Sequence, residues 1–440
     1  MSVKSFVFIL QTKNQKGEKM ENGKMGSCVM NHIGGKGEIG KTILMNHTVY
    51  QIGTIGAVLH NHKLDDAAPK PGDVIQFECD ETSLAQKLGL YSYPARSFVA
   101  SRPGDIFKVG LELKPAIQWL TDHYGRVGIS HTTDVVYDYD FFPDRYPDYR
   151  LSVFFFGAEA NRIRPDEKRF FATKFFNSKN NVMRLAQTMG IRTPLTEFFS
   201  SVSEIDLSRY TVDKFPLVVK IANSVSGLGF KTCHSIADFI SVLEKIEKIS
   251  SKIEFQVQQF LPNAEFLSAQ WWIDEIGQPH FTTGTCNFIE GEGNHAGNWS
   301  DLDIPHEGLK EFTASIAMRG AQMGLRDWIG FDVAFCKGKF YLIECNPRYT
   351  GAAYPFVAVQ KLFGAEAAKV FWAHKSYEVN RKSIDGFSLN GAEYDSKKGM
   401  GWIIINPGPL TVGDGKVGAL WIGRKENYER AEDKLKSILA

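Results

Sequence analysis

Four residues that could do chemistry together lie at alternate positions within residues 328–355: Asp332, Glu344, Asn346 and Arg348. Two apolar runs of alternating character flank Lys337-Gly338-Lys339, a pattern that predicts a hairpin. A three-residue turn with a left-handed Gly338 pairs position 332 with 344 and position 334 with 342. Side chains alternate along a strand, so Asp332, Ala334, Leu342 and Glu344 share one face. Val333, Phe335, Tyr341 and Ile343 then turn toward a core. Asn346 continues the acidic face, and Arg348 follows it. Hard oxygen donors gathered this way suit Mg2+, typically held by one or two carboxylates plus substrate phosphates. A solvated surface hairpin is the plainer alternative, and the Glu-x-Asn-x-Arg run directly after an apolar strand argues against it.

Upstream lies a second group suited to anions. Residues 216–221 read as a strand ending near Lys220, and the small residues of 223–230 follow, among them Ser226, Gly227 and Gly229. Small residues let backbone amides approach an anion closely, and a lysine beside them partners phosphates. Taken alone, this would be a plain turn beside a solvated lysine. Earlier still, Ser178-Lys179 opens a helix with Val182, Leu185, Ala186 and Met189 at helical spacing, stopped by Gly190 with Pro194 beyond. Residues 35–42 match the phosphate-binding P-loop pattern letter by letter. That loop needs a helix after it, and the β-branched residues and glycines of 43–59 disfavour one. A glycine-rich strand connection is therefore the default there. A kinase or nucleotidase using Lys41 and Thr42 is the alternative. His60 and His62 lack a third ligand nearby and read as ordinary surface histidines.

The elements that must position these groups follow from periodicity. Residues 5–10, 74–77 and 134–137 read as strands and 113–124 as a helix, which makes the first third an α/β region. A Phe-rich strand over 151–157 leads into a charged connection at 162–169. Ser235 caps a helix with Asp238 three residues on, and Ile236, Phe239, Ile240, Leu243 and Ile246 form its apolar stripe. Residues 254–261 and 266–273 are strands, and 278–283 pairs with the latter. The polar stretch 287–305 reads as a long loop, whose His295, Asn298 and Trp299 are candidates for a substrate wall. Pro305 opens a helix that buries Leu309, Phe312, Ile316 and Leu325.

At 440 residues the chain has room for two or three domains. Lys+Arg 51 against Asp+Glu 50 leaves a net charge of +1, which gives no argument for nucleic acid or an anionic membrane as partner. No apolar run approaches the roughly 20 residues of a membrane span, and residues 6–10 are too short for a signal-peptide core. The six cysteines are scattered without a Cys-x-x-Cys pair, so the expectation is a reducing cytoplasm with neither a disulfide framework nor a zinc site.

Taken in order, these pieces resemble the ATP-grasp superfamily over roughly residues 171–376. Lys179 and its helix resemble the family's first lysine; Lys220 with Ser226, Gly227 and Gly229 resembles the second lysine and phosphate lid. Gln259 and Leu261 stand at the adenine hinge, with Gln258 where many members have glutamate, and Glu265 matches the ribose acid. Asp332, Glu344 and Asn346 match the metal ligands, and Arg348 the arginine that steadies an acyl phosphate. The resemblance implies two α+β lobes clasping ATP after an α/β pre-ATP-grasp domain. The implied divisions are 1–170 for that domain, 171–260 and 261–380 for the small and large lobes, and 381–440 for a closing hairpin and helix. It further implies an ADP-forming carboxylate–amine ligase, most like peptide-forming members. ATP and Mg2+ are the implied cofactors, with Mn2+ an allowed substitute. Arg348 and Lys220 would be catalytic, His295 and Asn298 would face substrate, and the partners would be a small carboxylate and an amine, amino acid or peptide. A homodimer is compatible with it. A non-catalytic ATP-binding regulator is the remaining alternative.

Overall fold

The structure is a computed structural model of the chain and describes residues 42–45, 93–137, 150–157, 160–161, 164–223, 229–249, 252–290, 294–300, 306–381, 383–411 and 415–440. The strands read at 5–10 and 74–77, His60, His62 and Lys41 lie outside these residues.

The first sheet is parallel. It comprises β1 (Thr42–Met45), β2 (Ile106–Val109), β3 (Asp134–Tyr137) and β4 (Arg150–Val153), in the order β3-β2-β1-β4. Helix α1 (Lys114–Val127) joins β2 to β3 and buries Ile117, Leu120 and Tyr124. A 3-10 helix, Tyr93–Ala100, sends Ala95, Phe98 and Val99 into the same core.

Helices α2 (Glu167–Asn177) and α3 (Lys179–Thr188) come next. The start of α2 replaces the end of the charged connection expected over 162–169. Asp166 caps it by accepting the Arg169 N–H. The Phe-rich sequence hid this helix because its aromatics fall on more than one face: Phe176 is buried while Phe171 stays 60% exposed.

A small antiparallel sheet follows: β5 (Thr196–Phe199), β6 (Leu217–Ile221), β7 (Phe230–Cys233) and β8 (Phe255–Gln259), in the order β5-β8-β6-β7. Helix α4 (Ile236–Ile249) covers one face with Phe239, Val242, Leu243 and Ile246, against Val219, Ile221, Phe255 and Val257. Its capping box forms as expected. Ser235 Oγ accepts the Asp238 N–H at 3.2 Å, and Asp238 Oδ2 accepts the Ser235 N–H at 3.0 Å.

The largest sheet is antiparallel with eight strands. These are β9 (Glu265–Ile273), β10 (Pro279–Glu290), β11 (Asn294–Trp299), β12 (Asp327–Cys336), β13 (Lys339–Asn346), β14 (Trp372–Glu378), β15 (Gly401–Asn406) and β16 (Lys416–Ile422). Their order is β13-β12-β9-β10-β11-β14-β16-β15. Helix α5 (His306–Met323) packs on one face with α2 and α3, enclosing Leu267, Ala269, Trp271, Phe331 and Val333. Helices α6 (Ala353–Phe363) and α7 (Tyr428–Leu439) complete the chain. Among the described residues no helix is long and apolar enough to cross a membrane.

Two expectations change here. The stretch 287–305 is not one long loop: β11 is an interior strand, paired with β10 and β14. Its polarity comes from the face it presents, and Gly297 is required because a Cβ there would meet the His374 carbonyl at 2.0 Å. The acid hairpin also turns differently. Lys337 and Gly338 both have positive φ, 50° and 71°, and Cys336 pairs with Lys339, so the turn has two residues and type I′ character. Asp332 still faces Glu344, because the register shifts between Asp332 and Val333. Ile343 is the extra residue of that bulge. Beyond it Leu342 pairs with Val333 in the core, and Tyr341 pairs with Ala334 on the other face.

Candidate active site

Lys179 is the first residue of α3. Its N–H donates to the Ala222 carbonyl at 2.8 Å, which ties this helix start to the end of the strand that carries Lys220. Its Nζ lies 3.2 Å from Glu344 Oε1. Asp332, opposite Glu344, accepts hydrogen bonds from Ser268 Oγ at 3.0 Å and Asn346 Nδ2 at 2.9 Å. Burial pushes the Asp332 carboxyl up to about 6. The Glu344 charge adds to the rise, while the Ser268 hydrogen bond, Arg348 and Lys220 oppose it. Burial brings the Lys220 ammonium down to about 8 against the pull of Glu344. The Arg348 guanidinium is lowered by burial, with Glu344 opposing and Arg96 adding to the fall. Lys179, Lys220, Asp332, Glu344, Asn346 and Arg348 thus form one electrostatic cluster, drawn from α3, β6, β12, β13 and the turn after β13.

Sequence reasoning missed the support behind it. Gln270 Nε2 donates to Ser268 Oγ at 2.8 Å, and Thr350 Oγ1 donates to Gln270 Oε1 at 2.7 Å. The signal was a Ser-x-Gln pair at alternate positions of an otherwise apolar strand.

The other expected site residues that are described sit on or beside strands of the two antiparallel sheets. Gly229, at φ 73°, closes the β6–β7 connection by accepting the Ile221 N–H; Ser226 and Gly227 lie outside the described residues. Gln259 ends β8, and its N–H donates to Leu195; Leu261 is half-buried just beyond. Gln258 is buried, with its amide donating to Thr196 Oγ1 at 3.1 Å. Glu265 is exposed at the start of β9, opposite Phe335 and three residues from Ser268. His295 Nε2 and Asn298 Oδ1 are 2.9 Å apart, and the Asn298 amide reaches Thr285 and Asn287. Trp299 is not part of that wall: it alternates to the opposite face, tilted against Phe288. Thr42 opens a strand where a P-loop would need a helix.

No family model and no curated protein matches the chain. Solved structures do. N5-carboxyaminoimidazole synthetase from Staphylococcus aureus complexed with ADP matches with TM-score 0.54 at 11% identity, over 91% of this chain and 97% of that one. Biotin carboxylase from Campylobacter jejuni, in a β,γ-ATP complex, matches with TM-score 0.51 at 11% identity, over 78% of this chain and 91% of that one. This chain has an ATP-grasp fold. In ATP-grasp terms the β5–β8 sheet with α4 is one α+β lobe, and the eight-stranded sheet with α5 is the other. The ATP-grasp lobes follow the parallel α/β sheet, and the β15–β16 hairpin extends the larger one.

The acid hairpin suits a hard divalent cation. Among the described residues no three of His, Cys, Asp and Glu gather as a metal cage. Two facing carboxylates, with the Asn346 amide bonded to one of them, form a smaller set, and the Glu344 charge that adds to the burial-driven rise of Asp332 is what a cation there would offset.

Proposed function

We propose that the protein is an ATP-dependent ligase that activates a carboxylate and joins it to an amine, releasing ADP and phosphate. The reading rests on one observation above all: Lys179, Lys220 and Arg348 meet Asp332 and Glu344 in a single cluster. Such a set manages polyphosphate charge and needs no covalent protein nucleophile.

Lys179 and Lys220 neutralise phosphate oxygens as a substrate carboxylate oxygen attacks the γ-phosphorus and ADP leaves. Asp332, Glu344 and Asn346 would hold Mg2+, which supplies charge neutralisation at the phosphates. Arg348 holds the carboxylate and then the oxyanion formed when the amine nitrogen adds to the acyl carbon. Collapse of that adduct expels phosphate, and the amine loses a proton. Gln259, Leu261 and Glu265 take the adenine edge and ribose, Ser226, Gly227 and Gly229 cover the phosphates, and His295 and Asn298 face the substrates.

The test is the fate of label. With 18O in the acid's carboxylate, the label should appear in released phosphate, and hydroxylamine in place of the amine should trap a hydroxamate. Cleavage to AMP and pyrophosphate, or label in AMP, overturns the mechanism.

A further inference from the structure

The polar face of the large sheet continues beyond the acid hairpin. Asp332 pairs with Ser268 and Ser268 with Thr285; two residues along β10, Asn287 pairs with Asn298, which pairs with His374. Opposed residues share a face, so His374 stands on the same face as Asp332. Its ring is half-buried, both ring nitrogens are shut off from water, and neither has a hydrogen-bond partner among the described residues. Buried polar atoms are nearly always paired, and leaving one unpaired costs about 1–3 kcal/mol. A ligand that bonds His374 would recover that cost.

Two glycines pack close against this face, where a side chain would crowd it. A Cβ at Gly418 would sit 3.2 Å from His374 Nε2, and one at Gly351 would sit 3.5 Å from Asn298 Oδ1. Positive charge stands near. The Arg96 guanidinium lies 4.9 Å over the Phe154 ring and that of Arg348 lies 5.2 Å over it, so one ring gathers both. Arg96 and His295 both act on His374, and burial pushes its imidazole down to about 3, so it is neutral near pH 7. Neutral imidazole offers one donor and one acceptor, which an amide or hydroxyl can meet. A cationic group would be repelled by Arg96, and an aliphatic one would leave the imidazole unpaired.

We propose that His374 and Arg96 form a substrate subsite for a small carboxylic acid bearing an uncharged amide or hydroxyl, with Arg96 and Arg348 taking its carboxylate. This rests on the ligase reading of the same face.

The test screens the common L-amino acids against the full chain with MgADP. Binding is read as thermal stabilisation, and phosphate release is read in parallel with MgATP. Asparagine, glutamine, serine or threonine should stabilise the wild type more than leucine or lysine. His374→Leu should weaken the preferred acid by about tenfold or more with nucleotide affinity unchanged, and His374→Gln should retain the preference. Arg96→Gln should weaken all the acids about equally, which keeps the test open if His374→Leu does not fold. An unchanged preference in His374→Leu overturns the subsite, as does an Arg96→Gln variant that binds the acids as tightly as the wild type, or a wild type that no amino acid stabilises. Stabilisation without phosphate release, even with hydroxylamine supplied as the nucleophile, overturns the ligase reading and leaves the subsite standing.

Discussion

Lys179 Nζ lies 3.2 Å from Glu344 Oε1, with the lysine side chain 6% exposed and the glutamate 23%. The contact joins the N-terminus of α3 to the acid hairpin. Removing one member of such a pair leaves a charge uncompensated, whereas removing both relieves it. Glu344→Gln should therefore destabilise by about 3 kcal/mol, and the double variant Lys179→Met/Glu344→Gln by less. Urea unfolding of the singles and the double measures this, and additive losses would count against a coupled pair.

Turnover should separate from folding at the metal acids. Asp332→Asn and Glu344→Gln are expected to lower ADP formation about 100-fold or more while circular dichroism stays native. Chelation with EDTA should stop ADP formation, and Mg2+ should restore it. Near-normal rates in both variants at saturating ATP and Mg2+ would sink the metal assignment.

Nucleotide should depend on Lys220 and not on the early glycine-rich segment. Lys41→Ala is expected to keep ATP affinity within a few-fold of the parent, because Thr42 begins a strand rather than a helix. Lys220→Ala should weaken it at least about tenfold, since a buried charge-assisted contact is worth about 1.5–3 kcal/mol. Calorimetric titration with ATP decides, and the reverse ranking would move the site.

Gly297→Ala probes the interior position of β11. Its new methyl would meet the His374 carbonyl at 2.0 Å, well inside contact distance. A loss of about 3 kcal/mol is expected from the overpacking, seen as a lower melting temperature. An unshifted melt would show that β11 and β14 do not approach so closely.

Acid should loosen the contact between α1 and the segment before β15. The hydrogen bond from His123 and then the Arg126 guanidinium hold the Glu393 carboxyl down at about 2. A carboxyl lowered on folding stabilises above its unfolded value, and that contribution fades as pH falls from about 4.5 toward 2. His123, whose Nε2 accepts the Ile404 N–H at 2.9 Å, is itself lowered by burial, so acid works against it as well. Glu393→Gln should be less stable than the parent at pH 7, with the gap narrower at pH 3. A constant gap across thermal melts at the two pH values would remove the Glu393 contribution.

Local pattern in the sequence was enough to place several residues of the centre on their elements. Strand alternation put Asp332 and Glu344 on one face of a hairpin, the Ser178 cap put Lys179 at a helix start, and the capping box at Ser235 and Asp238 marked α4. All of these depend on neighbours within a few residues, where backbone geometry and period decide the outcome. Tertiary structure decided what depends on the partner across a sheet. The two-residue turn with its bulge moved Leu342 into the core and left Asp332 opposite Glu344, which alternation alone cannot distinguish from a wider turn. The polar stretch at 287–305 supplied an interior strand because β10 and β14 flank it, and its Asn298 shares a face with Asn287 and His374. Ser268 and Gln270 became supports of Asp332 only when β9 paired with β12. His374 and Arg96, remote in the chain, came within electrostatic reach of each other only when β14 joined the sheet and the 3-10 helix packed over it. Pairings of this kind are fixed by long-range burial and register, for which local pattern carries no signal.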